Sequence, residues 1–391
     1  MSIGMWYIHY IPIMNNYCTN LFNSIYIVKV NESDVKLGHC CASKLAPPMA
    51  TIDFTNDFLT NNRNFYIETG ELPVACSQCI NNEKHGITSK RITDLKNVTS
   101  YSTVSKLKQI DYNCDNICNL KCIMCNSICS SAWIEDAIKL GILYNTDTRI
   151  KPTKHNLAIN NLDVSNLEVI YFNGGEPWMT KDHINVLTYI KNNTNTKNVE
   201  VRYNTNGTFP VTDEMLELWK NFKSIYVGFS VDAFGDAFEY IRNLAKWKDV
   251  EKNILNFKEV QKKLSTNCVA NFHLGVTLGV QNIMHIDDLV HWANTNNINI
   301  HIQGDTLGPS NLSLANFPFK HKNKLISHLT TIENFAQKQV LLDSCNSQIT
   351  ETNNLAWISY LNKLDAIRGN SWKHSLNKLY HIDPVLFDSY K

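Results

Sequence analysis

The chain has 391 residues, 43% hydrophobic and 19% charged, enough to bury one large core or two domains. Its 37 Lys and Arg against 36 Asp and Glu leave a formal charge of +1, which excludes a global basic field for nucleic acid. No run of Lys or Arg forms a polybasic tail, and no stretch is long and apolar enough to span a bilayer. Met1 to Asn15 is apolar and aromatic but lacks the charged start of a signal peptide. The expected setting is therefore cytoplasmic, without a membrane partner. There, the 12 cysteines are expected to bind metal more often than to pair as disulfides.

The first hundred or so residues are expected to form a loop-rich cysteine module, bounded at 1–105. They hold Cys18, Cys40, Cys41, Cys76 and Cys79, a Pro47-Pro48 turn, and a strand signal only around Ile25 to Val30. From Leu107 the pattern becomes regular. Leu107–Cys114 reads as a strand leading into a cysteine loop, and Ser131–Ile142 as a helix with Trp133, Ala137 and Leu140 on one face. Leu167–Phe172 is a buried strand ending at Gly174-Gly175, and Lys181–Lys191 has helical spacing. Val199–Asn204 is a strand ending at Asn206-Gly207; Thr212 then caps a helix to Phe222. Ser224–Val231 is a strand, Phe238–Lys263 mostly helix, Cys268–Leu278 a strand, Ile286–Asn294 a helix and Ile298–Ile302 a strand. One helix is expected from Lys320 to Gln339. Beyond Val340, Trp357, Tyr360, Leu361 and Leu364 have helical spacing.

Strand and helix alternate about six times, which predicts a parallel α/β sheet curled into a partial (β/α)6 barrel over 106–340. A full eight-fold barrel usually takes ~250 residues, more than this region offers. A C-terminal helical segment, 341–391, is expected to close its open side. In such folds chemistry sits at the C-terminal ends of strands. The cysteine loop, Gly174-Gly175, Asn206-Gly207 and Ser230-Asp232 all fall there.

The cysteine loop is Cys118-Asn-Leu-Lys-Cys122-Ile-Met-Cys125. Thiolates are soft ligands for iron–sulfur clusters, which usually need four; three at C-x3-C-x2-C leave one iron open. The plainer alternative is a zinc loop. Gly174-Gly175 reads equally as a strand-to-helix turn, Ser230 and Asp232 as helix caps, Arg242 as a solvated helix residue, and Asn206 as a turn residue. Cys114 and Cys129 flank the loop and are expected to be a buried strand residue and a helix-start residue.

Taken with Asn173-Gly174-Gly175-Glu176-Pro177, the loop resembles the radical S-adenosylmethionine (radical SAM) superfamily. Ser131-Ala132-Trp133, Asn206-Gly207-Thr208, Phe238-Glu239-Tyr240-Ile241-Arg242 and Asp365-Ala-Ile-Arg368-Gly369 look like its twitch-domain-containing members. Met124 replaces the aromatic residue often found before the third cysteine. The resemblance implies that Cys118, Cys122 and Cys125 hold a 4Fe–4S cluster whose open iron chelates S-adenosylmethionine. It implies reductive cleavage to a 5′-deoxyadenosyl radical, fed by a reductant such as flavodoxin or ferredoxin. Gly174 and Gly175 would let backbone approach the methionine ammonium, and Glu176 would accept from it. Asn206, Ser230 and Asp232 would hold ribose and carboxylate, Arg242 would pair with the carboxylate, and Val276 would pack on adenine.

The N-terminal cysteines read as a four-thiolate site. The resemblance associates such a module with an auxiliary iron–sulfur cluster, although its usual place is after the barrel. Cys41, Cys76 and Cys79 are the expected ligands, with Cys18 or Cys40 as the fourth. Structural zinc and free buried thiols stay open, and His39 and His85 are candidate substitute ligands. The implied activity is hydrogen abstraction from a peptide or protein side chain. The alternatives are the same chemistry on a small molecule or nucleotide, and a non-catalytic zinc-binding module. No residue declares the substrate or a second hydrogen donor.

Overall fold

A computed structural model describes residues 16–30, 34–84, 88–96, 98, 101–113, 115–142, 159–264, 266, 268–305, 309–351 and 354–390. Cys114, His85 and Met1–Asn15 lie outside the described residues. The fold is α/β around one 8-stranded sheet in the order β2-β1-β3-β4-β5-β6-β7-β8. The strands are β1 (Ser24–Lys29), β2 (Val35–Gly38), β3 (Gln109–Asn113), β4 (Val169–Asn173), β5 (Glu200–Thr205), β6 (Ser224–Ser230), β7 (Val269–Leu278) and β8 (Ile300–Asp305). β2 joins β1 antiparallel; every other neighbouring pair is parallel.

The six expected strands are β3 to β8. The sheet exceeds that expectation by two strands, both from the first hundred residues. β1 pairs along its length with β3, from Ser24↔Gln109 to Val28↔Asn113. A short apolar β-branched segment such as Ser24-Ile-Tyr-Ile-Val-Lys29 buries its Ile side chains only by joining an existing sheet.

The register separates two kinds of surface, because residues paired across parallel strands share a face. One row, Ile25–Ile110–Ile170–Val201–Ile225–Ala270, is apolar and buried. Helices cover this side: the Tyr112 hydroxyl donates to Asp182, and the Tyr203 hydroxyl shares a hydrogen bond with His183, both on the Asp182–Asn193 helix. The adjacent row, Tyr26–Asp111–Tyr171–Arg202–Tyr226–Asn271, is polar throughout and belongs to the opposite face.

Three helical expectations are modified. Ser131–Ile142 is a 3-10 turn followed by a short helix, Ile134–Lys139. Phe238–Lys263 is two helices, Gly235–Ile241 and Trp247–Leu264, broken where Leu244 takes φ 78. The expected Lys320–Gln339 helix is also interrupted. It ends at Thr330, and the next begins at Lys338, with Asn334 at φ 51 between them. Side chains other than Gly rarely take positive φ in a helix, so each such residue ends one. Thr212 caps its helix as expected, its hydroxyl accepting from the Met215 amide at 3.2 Å.

Candidate functional site: a cysteine loop at the strand ends

The cysteine loop is held by its backbone, leaving its thiols for other work. The Ser130 hydroxyl donates to the Leu120 carbonyl (2.7 Å), the Trp133 indole to the Cys122 carbonyl (2.7 Å), and the Tyr360 hydroxyl to the Ile123 carbonyl (2.6 Å). The amides of Lys121 and Ile123 donate to the carbonyls of Asn243 and Ile241. Ser130, Trp133 and Tyr360 thus fix the loop, a role that sequence spacing did not assign to them. Only a donor-by-donor inventory of the loop's carbonyls finds them.

The Gly174-Gly175 turn docks directly on this loop. Gly174 has φ 112, and a Cβ on Gly175 would lie 2.2 Å from the Ile117 carbonyl oxygen. The Gly175 and Glu176 amides donate to the carbonyls of Asp115 and Ile117, both at 2.7 Å. Glu176 is buried and links the ends of β4 and β5. Its carboxylate accepts from the Trp178 amide, the Thr205 hydroxyl and the Asn206 amide. Burial pushes its carboxyl up to about 7.

Asn206 donates through Nδ2 to Asn119 Oδ1 (2.9 Å) and to Cys118 Sγ (3.8 Å), while its Oδ1 accepts from the Thr208 amide. Ser230 ends β6 and is partly exposed on the polar side. Asp232 is fully buried. Its Oδ1 accepts from the Thr277 amide, and its Oδ2 accepts from Arg242 Nε (2.8 Å) and pairs with Nη2 (2.7 Å). Arg242 Nη1 reaches Cys122 Sγ at 3.9 Å. Cys118, Cys122, Gly175, Glu176, Asn206, Asp232 and Arg242 are therefore joined in one contact network at the strand ends. Cys125 belongs to the same loop, and its amide donates to the Cys122 carbonyl. Val276 is placed elsewhere: it is fully buried among packing residues, on the same strand face as Leu274 and Leu278.

The surroundings of the loop thiols favour their protonated form in the ligand-free chain. Burial raises Cys118 to about 11 and also raises Cys122; a hydrogen bond with Cys129, with burial second, raises Cys125. Metal binding would release these protons.

A second set of cysteines meets near the start of the sheet. Cys18, Cys40, Cys76 and Cys79, all from the N-terminal hundred residues, line one small pocket with His39 and Arg91. Cys41 is exposed and outside it. Cys40 and Cys41 are consecutive in a turn closed by the Ser43 amide on the Cys40 carbonyl; Cys40 is buried and Cys41 exposed. Burial raises Cys18 to about 11 and Cys76 to about 12. His39 is buried with no hydrogen bond of ordinary geometry at either ring nitrogen, and burial lowers it to about 3, so it is neutral. Among the described residues, no three His, Cys, Asp or Glu side chains are gathered as closely as a bound metal requires. Each cysteine set would have to close on its metal by side-chain rotation.

The fold and site together are a mostly parallel α/β sheet with a three-cysteine loop and a glycine turn at its strand ends. Residues 112–293 match the family model described as Radical SAM superfamily. No curated protein matches the chain significantly. Among solved structures, hexahistidine-tagged anSMEcpe with bound AdoMet is similar at 16% identity and TM-score 0.39, over 57% of each chain. Native anSMEcpe with bound AdoMet has 18% identity and TM-score 0.37, over 68% of this chain and 62% of that one. Streptococcus suis SuiB bound to precursor peptide SuiA has 15% identity and TM-score 0.35, over 80% of this chain and 69% of that one. The chain spans a little over half the length of the first of these structures, 57%. No helix of the described residues is long and apolar enough to cross a membrane.

The superfamily implies a 4Fe–4S cluster and S-adenosylmethionine. The donor set fits a cluster: three thiols on one loop, each free of disulfides, with backbone that is already satisfied. The close seating of Gly175 on Ile117 keeps that loop against the strand ends.

Proposed function

We propose that the chain is a radical SAM enzyme that abstracts hydrogen from a peptide or protein side chain. The observation that carries the reading is the convergence of the C-x3-C-x2-C loop, the Gly174-Gly175 turn and the ends of β4 to β7 in one contact network. When bound, the cluster and S-adenosylmethionine supply the one-electron cleavage and the hydrogen-abstracting radical. The chain's own residues prepare the place. Cys118, Cys122 and Cys125 ligate. Gly175 lets the turn seat directly on the cysteine loop, Gly174 supplies the positive φ that the turn needs, and Glu176 fixes the Asn206 turn beside Cys118. Ser230 offers a hydroxyl at the end of β6.

The sheet curls as a partial barrel, with the polar row Tyr26–Asp111–Tyr171–Arg202–Tyr226–Asn271 on the face opposite the covering helices. A row of donors and acceptors suits a substrate that, like a peptide, presents hydrogen-bonding groups along its whole length. The pocket of Cys18, Cys40, Cys76 and Cys79 is the auxiliary cluster site. This set keeps the expected Cys76 and Cys79, takes both Cys18 and Cys40, and leaves out the expected Cys41.

Anaerobically reconstituted and reduced protein should release 5′-deoxyadenosine from S-adenosylmethionine and carry about eight irons, falling to about four in C76A/C79A. Persistence of 5′-deoxyadenosine in the C118A/C122A/C125A protein would refute the reading. About four irons with one zinc in the wild type would make the second site a zinc site.

A further inference from the structure

We propose that Arg242, locked by Asp232, is a positioning residue. It donates a hydrogen bond to the Cys122 thiolate and so sets how readily a cluster on this loop accepts its electron. The inference rests on the cluster reading above and assigns Arg242 a role apart from the cofactor's carboxylate.

The arrangement is built from fixed parts. The Gly235–Ile241 helix ends at Arg242, whose backbone (φ −101, ψ 57) leaves the helix and turns toward the cysteine loop. The same turn accepts the loop's amides at Ile241 and Asn243, so its position relative to Cys122 is set by backbone. Asp232 is anchored from the other side, with Oδ1 on the Thr277 amide at 2.9 Å and its carbonyl accepting from Asn282 Nδ2 at 3.0 Å. Its remaining oxygen takes Nε and Nη2 of Arg242, at 2.8 and 2.7 Å. A guanidinium is a rigid planar fork, so gripping it on that edge aims Nη1 in one direction. That direction is Cys122 Sγ, at 3.9 Å.

A buried ion pair is a poor source of stability on its own account. Beside thiolates carrying negative charge, the guanidinium gains a further partner. Hydrogen bonds to the sulfurs and the local charge are levers on cluster potential. Reduction adds one negative charge. A nearby cation favours the reduced form, and the Asp232 carboxylate opposes it.

The two partners therefore predict opposite signs. Reconstituted full-length protein, without S-adenosylmethionine, is titrated with reductant and followed by the electron paramagnetic resonance of the reduced cluster. R242Q should make reduction at least tenfold less favourable, about 59 mV to lower potential for one electron. D232N, which keeps the arginine and removes its counter-charge, should shift the potential upward. An unchanged or raised potential in R242Q, or a lowered or unchanged one in D232N, overturns the inference. So does a weakened KM for S-adenosylmethionine in R242Q with its potential unmoved. Should R242Q fail to hold its cluster, the D232N shift decides. Wild-type protein that takes up no iron sinks the cluster reading as well; a cluster with unmoved potentials sinks this inference alone.

Discussion

At the scale of single residues, Glu176 is the clearest test of the site's construction. Its carboxylate is buried and accepts three hydrogen bonds, yet burial outweighs them and raises it from 4.5 to about 7. Between those pH values the native chain holds a proton that the unfolded chain has released. Stability from this group is therefore full below pH 4.5, falls as pH rises to about 7, and is flat above. E176Q cannot titrate, so it should gain on the wild type by on the order of 3 kcal/mol across that window. Urea unfolding of both apo proteins at pH 5 and pH 7.5 checks this; parallel pH profiles would refute it. That glutamate's chemistry was legible in sequence as an acceptor at a strand end. Its partners were not, because Thr205 and Asn206 lie about 30 residues away. Asp232 and Arg242 were also singled out by the resemblance. Their mutual pairing was not, since it depends on a helix ending at Ile241.

At the scale of elements, breaks in helices matter more than the helices themselves. Periodicity reports an apolar stripe and runs through residues such as Leu244 and Asn334 without seeing their positive φ. The first of these breaks frees Arg242 and the carbonyls that hold the cysteine loop. The Ala356–Arg368 helix is a second case. Its apolar spacing at Trp357, Leu361 and Leu364 was readable, but its polar side chains tie it to the site's supports. Asp365 accepts from the Tyr240 hydroxyl, Arg368 pairs with Asp136 and lies over Trp133, and Tyr360 holds the Ile123 carbonyl. Y360F keeps the ring and removes that donor. It should lower stability by about 1–3 kcal/mol, the usual result of leaving a buried acceptor unpaired. It should also speed loss of iron to a chelator. Denaturant unfolding and the rate of iron release measure both; wild-type values in both would show that the hydroxyl does not brace the loop.

At the scale of the molecule, the N-terminal hundred residues are part of the sheet as well as a cysteine carrier. β1 covers the edge of β3, and its Ile25 and Ile27 are wholly buried. A chain beginning at residue 106 should expose that edge and those partners, and aggregate. Its solubility and circular dichroism beside the full chain test this; a soluble, cooperatively folding product would overturn it. Local sequence was enough to specify the cysteine loop, the alternation of strand and helix, and the strand-end positions of the glycine turn and Asn206. Covalent spacing sets which thiols share a loop, and side-chain period sets which segments form a sheet. Only the folded chain shows that Cys40 and not Cys41 joins Cys18, Cys76 and Cys79, that two further strands extend the sheet, and that Arg242 points at Cys122. One cause is common to all three. Each depends on where a backbone turn aims a side chain and on a partner tens of residues away, and neither is encoded in local spacing.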